Sequence, residues 1–214
     1  MARPNDSIAI TPGSGAVVAG NTIAGKIYQV VIPAGPNGHL VDSAPTYIAW
    51  ANDVACDNAA NVSHFSILNT ESTSMVQVHK LFAVNLQTAA IVGIMMRFDI
   101  TRITAHSGGT LVVPESSDST NAAIPSGVTC RTKATVTEGN RLFGYATTND
   151  ESGATGNIIA GSVLLQGLNL VFESPRIQDI TLRQNQGLHI KQVTATSVGG
   201  LYGYICVFTV KEVD

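Results

Sequence analysis

Val92, Ile94, Met96, Phe98 and Ile100 alternate with Gly93, Met95, Arg97, Asp99 and Thr101. This period of two constrains the chain more than any other feature, because a β-strand sends successive side chains to opposite faces of a sheet. It predicts that the first set lines a core and that Arg97 and Asp99 lie on a solvated face. There they can pair with each other or with an adjacent strand, for roughly 0.2–1 kcal/mol.

Other segments follow the same rule. Residues 76–84 (VQVHKLFAV) are β-branched and partly alternating. Residues 177–182 and 188–196 flank a turn at 183–187, where Asn185 and Gly187 adopt turn conformations at low cost. In 202–210 (YGYICVFTV), Tyr202, Tyr204, Cys206, Phe208 and Val210 share one face and Ile205 and Val207 the other. Apolar residues on both faces predict a central strand covered on both sides. Gly, Ser, Asn and Pro clusters at 107–110, 114–121, 124–127 and 147–156 read as turns and loops.

No stretch keeps a 3.6-residue apolar period for three turns. The best helical candidate, 157–166 (NIIAGSVLLQ), is interrupted by Gly161, so a short helix and an apolar loop are equally compatible with it. There is no βαβ alternation to support a parallel sheet. The expected fold is therefore all-β: an antiparallel β-sandwich or jelly roll at 46–214, preceded by an extended N-terminal arm at 1–45. That first segment is rich in Gly and Pro and has too few apolar side chains to close its own core. It is expected as an arm along a partner or an edge strand, with disorder as the alternative.

Composition narrows function. Charged residues are 13% of the 214 and hydrophobic residues 44%, where soluble domains average ~25% charged. So sparse a charge predicts an exterior covered in part by partner subunits, the alternative being a monomer whose exterior is Ser, Thr, Asn and Gly. The net charge is −3 and the 12 basic residues are scattered, which argues against direct nucleic-acid binding. Cys56, Cys130 and Cys206 have no CxxC spacing and read as buried free thiols. No apolar run approaches the ~18 residues of a membrane span, and MARPNDSIAITPG has no signal-peptide core. The Asn61-Val62-Ser63 sequon is then a chance match.

Catalytic constellations are weak. In MMRFDITRITAHSGGT, Asp99, His106 and Ser107 contain the types of a Ser-His-Asp triad, but adjacent side chains on extended backbone diverge. No GxSxG elbow is present. His106 is expected to leave the strand and join a flexible turn with Ser107-Gly108-Gly109. His39, His64, His79, His106 and His189 share no HxH or HxxxH spacing, so no metal site is expected, and a cupin-like metal enzyme is the least favoured reading. Asp53 and Asp57, and the run Asn149-Asp150-Glu151, lack calcium-loop spacing. No phosphate-binding glycine loop is present, and no cofactor is expected. Trp50, the single tryptophan, is expected to pack in the core or to anchor an arm.

The run Thr11-Pro12-Gly13-Ser14-Gly15-Ala16, with Ile23-Ala24-Gly25 and Tyr28-Gln29-Val30, resembles an N-terminal segment of tailed-bacteriophage structural proteins, of the form TPGxGAxIAxDEIxGxxYQxVK. HFSILNT, RFDITRITAHSGGT, GVTCRTKATVTEG and GLHIKQVTATSVGG extend the resemblance over most of the chain. Asn21-Thr22 stands where that pattern often has Asp-Glu, and Val31 where it often has Lys, so charge-based contacts of the segment do not carry over. The resemblance implies a non-enzymatic virion protein: an auxiliary capsid (decoration, cement or head-fibre-like) protein, assembled in the host cytoplasm. Its implied partners are copies of itself, as a homotrimer, and the major capsid protein. The alternative is a tail-associated or head-fibre protein that binds host-surface glycans. Pro12, Ile23, Ile27, Tyr28, Val30 and Trp50 are the expected interface residues.

Overall fold

A computed structural model of the chain describes residues 17–23, 26–32, 44–86, 95–148, 168–171, 180–196 and 200–212. Every regular element among them is a β-strand. The chain divides into two compact units, Met1–Ala44 and Pro45–Asp214.

In the first unit, β1 (Val17–Ile23) and β2 (Lys26–Ile32) form a two-stranded antiparallel sheet. Its register runs without interruption from Val17 opposite Ile32 to Ile23 opposite Lys26.

The second unit is a β-sandwich that can be traced as one folded ribbon. Four strands run outward: β3 (Thr46–Ala55), β4 (Val62–Asn69), β5 (Ser74–Asn85) and β6 (Met95–Ser107). Three short strands follow: β7 (Thr110–Val112), β8 (Glu115–Ser116) and β9 (Val128–Thr132). The chain then returns through β10 (Thr135–Thr148), β11 (Leu168–Val171), β12 (Ile180–Leu182), β13 (Gln186–Gln192) and β14 (Leu201–Glu212). Each outgoing strand pairs antiparallel with a returning one in reverse order: β6 with β10, β5 with β11 and β12, β4 with β13, β3 with β14. Folding this ribbon over gives one sheet ordered β10-β6-β13-β4-β9-β7 and another ordered β11-β5-β14-β3-β8. The short strands extend the edges that β4 and β3 would otherwise leave free, and unpaired edges template association.

The core lies between the sheets. Met96, Phe98 and Ile100 are fully buried, as their alternation predicts, opposite Tyr202, Tyr204, Cys206 and Phe208. Phe98 meets Tyr202 edge-on at 5.0 Å between centroids and stacks on Tyr145 at 5.3 Å. β14 is central, between β3 and β5. Its outward residues Ile205 and Val207 are partly buried.

Two histidines sit at register breaks. In β4 Phe65 faces Ile190 and Ser63 faces Lys191, which leaves His64 as the extra residue. In β5 Val78 faces Phe208 and Lys80 faces Val207, leaving His79. A bulge re-aims its extra side chain. It turns His64 into the core, where it is fully buried.

Several expectations change. His106 does not sit in the turn; it belongs to β6, which continues to Ser107. The turn is made by Gly108 and Gly109, both left-handed with φ near +63° and +64°. Asp99 does lie opposite the core face beside Arg97, but it is 6% exposed rather than solvated. Arg97 at 3.6 Å and Arg141 of the neighbouring β10 at 3.0 Å close over it. Strand β13 ends at Gln192, so 193–196 lie beyond it. Residues 92–94, 149–167 and 177–179 lie outside the described residues, and with them the helical candidate 157–166.

Candidate functional site

Among the described residues, the outer face of the second sheet carries the most exposed aromatic side chain, Trp50. Along β3 the inward residues Tyr47, Ala49 and Ala51 are buried, while Ile48 and Trp50 point outward at 37% and 62% exposure. Cross-strand register sets Trp50 beside Ile205 of β14, and Ile205 beside Phe82 of β5. An apolar row thus crosses three strands, with Trp50 at its open end. Core packing of Trp50 is ruled out by the parity of β3: Ala49 and Ala51 take the inward positions, and the residue between them must face outward.

Immediately after Trp50 the strand bulges. Ala51 faces Tyr204 and Val54 faces Tyr202, so Asn52 and Asp53 together oppose the single residue Gly203. Asp53 takes the left-handed conformation, φ 54°, and both side chains are exposed. The left-handed region suits Asp and Asn better than most residues. Of the acidic cluster seen in the sequence, Asp53 thus belongs to a strand bulge just after Trp50, while Asp57 lies beyond β3 beside Lys133.

A second polar group closes one end of the core. Tyr204 donates its hydroxyl to His64 Nδ1 at 2.8 Å, and His64 Nε2–H donates to Gln192 Oε1 at 2.7 Å. The Gln192 amide donates to the carbonyls of Asp57 and Thr194, each at 2.7 Å, while Oε1 also accepts from Asp57 N–H at 2.9 Å. These partners assign the His64 tautomer. Burial, reinforced by Lys133, lowers the His64 pKa to about 3, since a buried imidazolium loses its hydration. Lys133 Nζ lies 3.8 Å from Asp57 Oδ2, and Lys133 itself is left-handed at φ 53°.

The third group lies on the outward side of the first sheet. His106 Nδ1 is 2.9 Å from Ser66 Oγ on β4, and its Nε2 is 2.7 Å from Thr129 Oγ1 on β9. Burial and Arg131 lower its pKa to about 4. Serine and histidine thus meet, but through Ser66 rather than the neighbouring Ser107. The third member is a neutral hydroxyl, which cannot stabilise an imidazolium as a carboxylate does, and Ser66 is fully buried. His189, also held near pKa 4 by burial, has Glu138 Oε1 3.8 Å from its Nε2, and Lys191 pairs with the other Glu138 oxygen at 2.7 Å. Among the described residues no three His, Cys, Asp or Glu converge as metal ligands.

Of the expected interface residues, Pro12 lies outside the described residues. Ile23, Ile27, Tyr28 and Val30 lie in β1 and β2, opposite Lys26, Thr22, Asn21 and Ala19. Trp50 alone belongs to the exposed face of the sandwich. Sequence reasoning missed Asn52 and Asp53 as its neighbours, because a bulge is a cross-strand event. The only local signal was the Asn-Asp pair interrupting an alternating run. Cys130 and Cys206 are buried thiols, whereas Cys56 is partly exposed.

No protein-family model matches the chain. No curated protein matches it either.

Proposed function

We propose that this chain is a non-enzymatic structural protein of a tailed-phage virion, a decoration or cement protein that binds across capsid-subunit junctions and strengthens the head. The observation that carries this reading is the β1–β2 hairpin, in the stretch that resembles phage structural proteins. Two seven-residue strands pair along their whole length, from Val17 opposite Ile32 to Ile23 opposite Lys26. A two-stranded sheet is marginally stable in water, and such a sheet gains from a surface to fold against. We assign that surface to the major capsid protein or a neighbouring copy. Binding only to the assembled shell then stabilises it by mass action.

We read the reverse-order pairing of the outgoing and returning strands as jelly-roll-like, an architecture shared by viral coat and lectin domains. It suits a rigid plug, because its end-to-end pairing ties both termini of the sandwich into one sheet. The test is assembly: the purified chain is expected to sediment as a trimer at micromolar concentration and to bind shells of the major capsid protein. Deleting residues 1–44 is expected to leave the sandwich folded and abolish shell binding. A monomer that ignores assembled shells would refute the proposal.

A second reading, a head-fibre or tail-associated protein that binds host-surface glycans, is favoured by the exposure of Trp50. An aromatic ring held open on a rigid sheet is the platform such binding uses.

A further inference from the structure

We infer that Trp50 and the bulge after it form a subsite for a neutral pyranose ring. This rests on the second reading above and assigns it a place and a ligand class.

The size of the patch selects the occupant. A tryptophan carries up to ~250 Å² of contact surface, so Trp50 at 62% exposure offers about 150 Å². Ile48 and Val84, each 37% exposed, raise the strongly exposed apolar area to about 300 Å². A stable protein interface needs about 800 Å² from each partner. The patch is too small to hold a second copy by itself, but it matches one sugar ring laid on an indole.

The polar groups match as well. A pyranose has one face of C–H groups and a rim of hydroxyls, and so wants an aromatic plane edged by donors and acceptors. The bulge supplies that edge: Asn52 and Asp53 are consecutive, both exposed, and set immediately after Trp50. The Asn52 amide offers donors and an acceptor, and the Asp53 carboxylate offers acceptors for hydroxyl protons. Gly203, opposite the bulge, has no side chain, and Leu86 and Val84 pack over it as an apolar border. Charge sets the class of sugar. Asp53 stands at one end and exposed Glu115, opposite Ile48, at the other, while Lys80 lies in the row of Ile48 and Val207; two carboxylates against one lysine leave the border net negative, which disfavours anionic sugars.

Trp50 is the only tryptophan, so its fluorescence reports on this face alone. The full chain is titrated with galactose, glucose and N-acetylglucosamine, and with glucuronate as the anionic control. At least one neutral sugar is expected to give a saturable change at millimolar concentration, with glucuronate about tenfold weaker, a difference of 1.4 kcal/mol. Trp50→Ala is expected to abolish binding read by saturation-transfer NMR. Asn52→Ala and Asp53→Gly, the glycine adopting the left-handed conformation of Asp53 without strain, are each expected to weaken it about tenfold without changing the melting temperature. No saturable response to any neutral sugar overturns the inference. So does dissociation of an oligomer by Trp50→Ala, which would make this face a contact between copies. Location on the particle is tested separately, by labelling virions, so the subsite can fail while the virion role stands, and the reverse.

Discussion

Acidification should destabilise the sandwich well before its carboxylates titrate, and His64 sets the size of the effect. In the unfolded chain this imidazole protonates near its ordinary pKa of 6.5; in the folded chain it resists until about 3. Between those values the unfolded state holds the extra proton, so stability is fully present above pH 6.5 and falls as pH drops. One group contributes a slope approaching 1.36 kcal/mol per pH unit. From pH 6.5 to 5.0 that is about 2 kcal/mol for His64 alone. His106 and His189, both lowered to about 4 by burial, act in the same direction over the same window. Three such groups remove a large share of the ~5–15 kcal/mol that holds a typical domain together.

The measurement is urea unfolding at pH 7.5, 6.5, 5.5 and 5.0, with the midpoint and slope fitted at each. A His64→Gln variant isolates the group, because an amide can donate towards Gln192 and accept from Tyr204 without titrating. Its stability is expected to be lower at pH 7.5, but its loss on going to pH 5.0 should be smaller than that of the wild type by about 2 kcal/mol. Identical pH slopes for the two proteins, or a wild type whose stability is flat from pH 7 to 5, would refute the account of His64 as a buried neutral imidazole.

Other substitutions separate core, network and surface. Phe98→Ala, at a fully buried ring touching Tyr145 and Tyr202, is expected to cost about 3–5 kcal/mol in urea unfolding. Trp50→Ala should stay within about 0.5 kcal/mol despite removing a larger ring. Gln192→Ala strands the His64 and Asp57 donors together with two carbonyls, and should cost about 3 kcal/mol or more by the same assay. Gly108→Ala is expected to cost about 1–2 kcal/mol, the left-handed penalty alone, since a methyl there meets nothing within 4 Å. Gly109→Ala should cost clearly more, because its methyl would also run into the Thr132 carbonyl.

The strands were legible because burial on one face imposes a period of two, and that period survives in sequence. Met96, Phe98 and Ile100, and Tyr202 through Val210, were placed on their faces by it, and β14 was placed between neighbours. The site was less legible. For Trp50 only the core alternative fails, because core and surface are equally open to a tryptophan in isolation. Only the burial of Ala49 and Ala51 shows which face of β3 is inside. His106 was misplaced for a related reason. The glycines that end its strand come two residues later, and its partners Ser66 and Thr129 lie 40 and 23 residues away along the chain.

What the sequence by itself determined is local: alternation, turn chemistry and the lack of a helical period, each written within a few residues and governed by backbone geometry. The tertiary structure alone decided which face of each strand looks inward, where two strands fall out of step, and which polar groups meet. Those outcomes depend on pairing between strands far apart in the chain. A shift of one residue in that pairing exchanges inside for outside, which is how His64 came to be buried and how Asn52 and Asp53 came to stand together beside Trp50.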